Sequence, residues 1–156
     1  MKSVLVVIVC LLAVAVIALF VMGIMSRTGG PPGQSHGVLL RCPPTPNCVC
    51  SELSDDSEHF IEPIVLTSTG LAVQQARLAG MLRAMGGQVG VVQDGYLSAT
   101  FTSALFGFVD DLEIRIDAVA GLAQVRSASR VGRGDAGVNR RRVERLRMLY
   151  AHGQAE

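Results

Sequence analysis

The apolar pattern divides the chain into two unlike parts. From Val4 to Met25 no side chain is charged and nearly all are apolar. That run of 22 residues, at about 1.5 Å of helix each, matches a bilayer core of roughly 30 Å. It predicts a single transmembrane helix in an anchor at residues 1–25. A cleavable signal peptide is the alternative, but its apolar stretch is about 7–15 residues long and ends in small residues. Here Ala13-Val14-Ala15 sits mid-run, and Val21-Met22-Gly23 makes a poor cleavage sequence. Cys10 follows Val7-Ile8-Val9 early in the run, so it reads as a small apolar helix residue and not as a lipidation site.

After the anchor the periodicity vanishes and then returns in a new form. Residues 26–38 read as a flexible tether, with only Gly, Pro and polar residues from Ser26 to Gly37. Twelve such residues (26–37) reach roughly 20 Å. Residues 39–150 read as one domain and 151–156 as a tail. Ile61 to Thr67 predicts a first strand, with Pro63 putting it at an edge or marking its start. Leu71, Leu78, Leu82 and Met85 keep helical spacing, Gly86-Gly87 ends that helix, and Ser68 or Thr69 caps its start. Asp94-Gly95 predicts a two-residue turn between strands 88–93 and 96–103, pairing Val92 with Leu97 and Gly90 with Ala99. Leu112, Ile114 and Ile116 alternate with Asp111, Glu113, Arg115 and Asp117. Residues 122–129 pair back on that strand through a turn near Val119-Ala120. The register that matches the faces sets Ile116 opposite Ala123, Ile114 opposite Val125 and Glu113 opposite Arg126. A last helix over 136–150 is capped by Asp135 and buries Val143, Leu146, Leu149 and Tyr150. The fold class is α+β: one antiparallel sheet of 4–5 strands with two helices on one face. The order β-α-β-β-β-β-α resembles one repeat of the TATA-binding-protein-like fold, an analogy of architecture that carries no function.

Charge narrows the partners. Beyond the anchor 13 Arg face 13 acidic residues, a balance that argues against nucleic acid. The distribution is uneven. Residues 52–62 hold five acids and no Lys or Arg, whereas residues 126–147 hold eight Arg against Asp135 and Glu144. Two solvated faces are the simpler reading; a basic surface toward anionic headgroups or an acidic partner is the sharper one. Lys2 and the terminal amine precede the apolar run and Arg27 alone closely follows it. This predicts a single-pass protein of the inner (cytoplasmic) membrane whose C-terminal domain faces the periplasm or exterior.

Two groups of residues carry candidate chemistry. The first is Cys42-Pro-Pro-Thr-Pro-Asn-Cys48-Val-Cys50, with His59 downstream. A Cys42–Cys48 disulfide suits an exported domain and would contribute about 2 kcal/mol. A zinc site from three cysteines and His59 is the rival, without the paired C-x-x-C units of strong zinc motifs, and free thiols are the third reading. A nucleophilic Cys48 or Cys50 with His59 is a further alternative. The second group is Asp110, Ser127, Ser129, Arg130 and Asp135, with Arg140 and Arg142 from the last helix. It reads either as a polar network tying that helix to the sheet or as an anion or headgroup site built by the arginines. A hydrolytic serine there would need His59 as its base.

Taken together, several stretches resemble one family. They are Cys42 to Cys48, Asp55 to His59 with Ile61-Glu62-Pro63, Phe108 to Glu113, Arg126-Ser-Ala-Ser-Arg-Val-Gly132, and Asp135 to Leu146, which includes Asn139 and Arg142. In this order they resemble the domain of unknown function 1499 over about Leu39 to Tyr150. The resemblance implies small membrane-associated or exported bacterial proteins, with relatives in plastids. It implies no agreed activity, catalytic residue or cofactor. Members usually carry serine where this chain has Cys50, which leaves Cys42 and Cys48 as the pair that matters; Ala136 stands where leucine is usual. The function expected is a non-catalytic, membrane-anchored module that binds an anionic small molecule, a lipid headgroup or an envelope protein. Its binding candidates are Asp110, Ser127, Ser129, Arg130, Asp135, Asn139, Arg142 and His59. A hydrolase using His59 with Cys or Ser and a purely structural envelope module are the alternatives.

Overall fold

The computed structural model describes residues 1–67 and 70–153. Helix α1 (Lys2–Met25) is long and apolar enough to cross a membrane, and its side chains are exposed over nearly all its length. Strands β1 (Gln34–Ser35) and β2 (Val38–Leu39) then form a small hairpin, turned by His36 and Gly37 at φ 52° and 79°. Next come β3 (Cys48–Cys50), β4 (Ile64–Val65), α2 (Leu71–Ala84), β5 (Gln88–Gln93), β6 (Tyr96–Thr102), β7 (Val109–Asp117), β8 (Leu122–Ser129) and α3 (Val138–His152). The main sheet runs β3-β8-β7-β6-β5, and β4 pairs with β8 beside β3. Every strand pair is antiparallel. The fold is α+β, as the sequence predicts.

The β7/β8 register is the expected one, with Ile116, Ile114 and Glu113 opposite Ala123, Val125 and Arg126. With apolar and charged residues in strict alternation, a one-residue slip would put charge into the core. Leu97, Leu112, Ile114 and Val125 from the sheet meet Leu78 and Leu82 of α2 and Val143 and Leu146 of α3 in that core. The β5–β6 turn forms at Asp94-Gly95, at φ 48° and 82°, and pairs Val92 with Leu97. The second expected pair is corrected: Ala99 faces Val89, not Gly90, across a bulge. The Ser98 hydroxyl accepts the Val91 N–H at 3.1 Å and satisfies a group the bulge takes out of the ladder.

Three other expectations change. The first strand shrinks to β4, directly after Pro63, while the unexpected β3 supplies the sheet edge. The proposed Ser68 or Thr69 cap lies outside the described residues; α2 starts after Gly70. Helix α3 starts at Val138, because Ala136 and Gly137 have φ 52° and 76° and cannot continue a helix. Its buried stripe is Asn139, Val143, Leu146 and Tyr150, and Leu149 is exposed instead.

The charged face of β7 is covered, although nothing in its pattern names a partner for it. Glu113 is fully buried and accepts from the Gly33 N–H (2.7 Å), the Tyr96 hydroxyl (2.8 Å) and Arg126 (2.9 Å). Leu39, Cys50 and Leu53 form a small second apolar cluster against Tyr96. Residues 26–38, expected to be a loose tether, thus lie partly along the back of the sheet. Their start is also held. Ser26 is fully buried; its hydroxyl donates to Gly23 O (2.6 Å) and accepts the Val109 N–H (3.0 Å). Phe20 of α1 meets Phe106 edge-on at 5.2 Å between ring centres. Gly23 permits this approach, since a Cβ there would lie 1.8 Å from Phe106 O.

Candidate functional site

At the β7/β8 end nearest α1, Asp110 lies opposite Ser129 and Leu112 opposite Ser127. The core face therefore closes on polar side chains, where α3 crosses. Asn139, 1% exposed, is the hub. Its Oδ1 accepts from Ser127 Oγ (2.6 Å) and Arg142 (2.6 Å). Its Nδ2 donates to Ser129 Oγ (3.0 Å), Asp135 Oδ2 (2.9 Å) and Asn47 O (3.1 Å). The Asp135 carboxylate also accepts the N–H groups of Gly137 (2.9 Å) and Asn139 (2.7 Å), so it serves the first turn of α3 as expected, although the N-cap position is Gly137 and the helix begins two residues later than predicted. Arg142 donates to Asp110 at 2.7 Å and lies over the Phe101 ring. Five of the predicted residues thus gather around Asn139 and satisfy one another. A half-paired carboxylate or amide at this depth would cost more than the network contributes.

Two predicted residues lie elsewhere. Arg130 belongs to the back of the sheet, where it grips both oxygens of Asp111 at 2.7 and 2.8 Å. This hydrogen-bonded pairing raises the guanidinium above its ordinary pKa. Alternation along β8 accounts for the separation: Arg130 follows Ser129 and turns to the opposite side. His59 sits in the acidic loop, with Nδ1 2.7 Å from Asp56 and Nε2 3.2 Å from Thr45 O. The His59 hydrogen bond holds Asp56 below the usual carboxylate range. Both ring nitrogens thus face groups of the protein itself, and neither faces a serine or cysteine.

Cys42 and Cys48 form a disulfide, which takes two of the three thiols that the zinc alternative requires. Cys50 is free and buried, and burial pushes its thiol pKa up; a protonated buried thiol is a poor nucleophile.

The arginines of α3 divide by side. Arg140 donates to the carbonyls of Phe60 (2.8 Å) and Glu58 (3.0 Å), and Arg147 to that of Glu62 (3.2 Å), so the helix is fastened to the backbone of the acidic loop. Arg141, Arg142 and Arg145 instead border an open groove of about 510 Å³ with Phe101, Ser103 and Asp110. Among the described residues Asp110 is its sole carboxylate, and Arg142 engages it. Arg145 pairs with no carboxylate among the described residues. Sequence reasoning missed Arg141 and Arg145, since solvated charges on one helix face carry no pattern. It also missed Asn47, 3% exposed, whose carbonyl accepts from Asn139 and from the Ser129 N–H (3.0 Å). Its place one residue before Cys48 was the available signal.

The family model described as "Protein of unknown function (DUF1499)" matches residues 38–149. The chain belongs to this family. The matched span holds the disulfide, the Asn139 network and the arginine groove, whereas α1 and the docked 26–37 segment precede it. No curated protein and no solved structure matches the chain.

Proposed function

We propose that this DUF1499 protein is a membrane-anchored, non-catalytic module that binds an anionic group in the groove of Arg141, Arg142 and Arg145. The observation that carries this reading is the excess of three arginines over one carboxylate in that groove, beside a helix apolar enough to cross a bilayer. The Asn139 network and Asp110 hold Arg142 in a fixed direction, so its positive charge is held at the groove wall beside Arg141 and Arg145. Ser127, Ser129, Asp135 and Asn139 are then the supports of the site, and Arg141 and Arg145 its contacts. The disulfide supports a location on an oxidising side of the membrane, and the Lys2 end supports a cytoplasmic N-terminus. Favouring binding over hydrolysis are the engaged ring of His59 and the buried thiol of Cys50.

The test is a titration of the full chain in detergent micelles with inorganic phosphate, followed by the side-chain Nε–H resonances of the arginines in NMR. Saturable shifts at Arg142 and Arg145 are expected in the wild type, and the Arg142 shift should be abolished by Arg141→Glu with Arg145→Glu. Shifts that are absent, or that survive the charge reversal, would remove the reading.

A further inference from the structure

We infer that the anion is the headgroup of a membrane phospholipid, one of whose acyl chains lies between α1 and the rest of the protein. The inference rests on the anion-binding reading above and adds the identity of the occupant. A second cavity, of about 320 Å³, is walled by Leu19 and Met22 of α1 and by Phe108, Val131, Gly134 and Val138. It shares Ser103, Asp110 and Val138 with the arginine groove, so the two adjoin across those three residues. Together they form a passage that is apolar at the α1 end and basic at the other. Each part lies within the range of ligand sites, roughly 300–1,000 Å³.

The apolar end is level with the bilayer. Met22 and Leu19 lie within the last two turns of α1, which ends at Met25. A helix of 24 residues is about 36 Å long and emerges from a core of roughly 30 Å over those turns. The neighbouring β6–β7 loop presents Leu105, 69% exposed, beside Phe106, which packs on Phe20. A molecule filling the passage therefore has hydrocarbon at the depth of the membrane edge and negative charge at the depth of the headgroups. A soluble anion would leave the apolar cavity to water, and an apolar peptide would leave Arg141 and Arg145 without a counter-charge. The carboxylates on the way offer no loose negative charge: Arg142 engages Asp110, and two backbone N–H groups engage Asp135.

The test uses the full chain reconstituted with phosphatidylglycerol and phosphatidylcholine and examined by native mass spectrometry. Gly134→Trp and Val131→Trp fill the apolar cavity; a Cβ at Gly134 meets nothing within 4 Å, and two sites guard against one variant failing to fold. One retained phosphatidylglycerol per chain is expected in the wild type. Its occupancy should fall by about tenfold or more in either tryptophan variant and in Arg141→Glu with Arg145→Glu. Retention lost on charge reversal but kept in both tryptophan variants overturns the acyl-chain inference and leaves the anion reading standing. Retention unchanged in all variants, or absent from the wild type, also overturns the inference; the phosphate titration then decides the anion reading by itself.

Discussion

Asn139 engages both ends of its amide inside the protein, with Ser127 and Arg142 on the oxygen and Asn47, Ser129 and Asp135 on the nitrogen. Removing it leaves the fully buried Ser127 hydroxyl without its acceptor and takes a donor from the Ser129 hydroxyl and the Asp135 carboxylate, while the Asn47 carbonyl keeps only the Ser129 N–H. Unsatisfied buried polar groups cost roughly 1–3 kcal/mol each, so Asn139→Ala should destabilise the full chain by about 3 kcal/mol. Urea unfolding in detergent checks this; a loss under about 1 kcal/mol would mean that the network is decorative. Asp56 makes a different prediction at the same scale. Its folded pKa lies below its ordinary value of 3.8 because His59 hydrogen-bonds to the carboxylate. As pH falls, the unfolded chain takes up that proton first. The stabilisation is therefore complete above the ordinary value and fades as pH drops through it and below. Asp56→Asn should be less stable than wild type near pH 7, and the difference should be smaller at about pH 3, below the ordinary carboxylate value. A gap of the same size at both pH values contradicts the assignment.

At the scale of elements, legibility followed periodicity. Strands β7 and β8 were readable to the residue because charge and hydrocarbon alternate without a fault from Asp111 to Asp117. Helix α2 was readable from its leucines and its Gly86-Gly87 stop. The bulge in β5 was not, since it depends on one Ser98 hydroxyl that takes over the Val91 N–H. Strand β3 is three residues long, too short to show a period. The coverage of Glu113 was hidden for another reason: alternation says which side a residue takes, not what lies against that side. In the candidate site, Asp110, Ser127 and Ser129 followed from the register, whereas Arg130 was misassigned by one step of the pleat. The Cys42–Cys48 link fastens the β3 edge to the loop before it. Replacing both cysteines with serine should lower stability by about 2 kcal/mol, seen as a shifted denaturant midpoint that dithiothreitol reproduces in the wild type. Equal midpoints would place the link outside the cooperative unit.

At the scale of the whole molecule, the junction between α1 and the sheet sets how the site meets the membrane. Gly23 and Ser26 fix it through backbone contact with Phe106 and Val109. Gly23→Leu should force α1 away and free the Val109 N–H from the Ser26 hydroxyl. Hydrogen exchange at Val109 should then quicken by about tenfold or more, while the core strands keep their protection; unchanged exchange at Val109 would show that the junction does not hold the helix. With the junction intact, the arginine groove lies close to the C-terminal end of α1, where the proposed function requires an anionic partner. The most direct measurement is calorimetric titration of the full chain in phosphatidylcholine nanodiscs with glycerol 3-phosphate, a headgroup without its chains. The account predicts weak one-to-one binding that loses affinity as salt is raised and disappears in Arg141→Glu with Arg145→Glu. Heats that are the same in the charge-reversed protein, or no binding by the wild type, would contradict it.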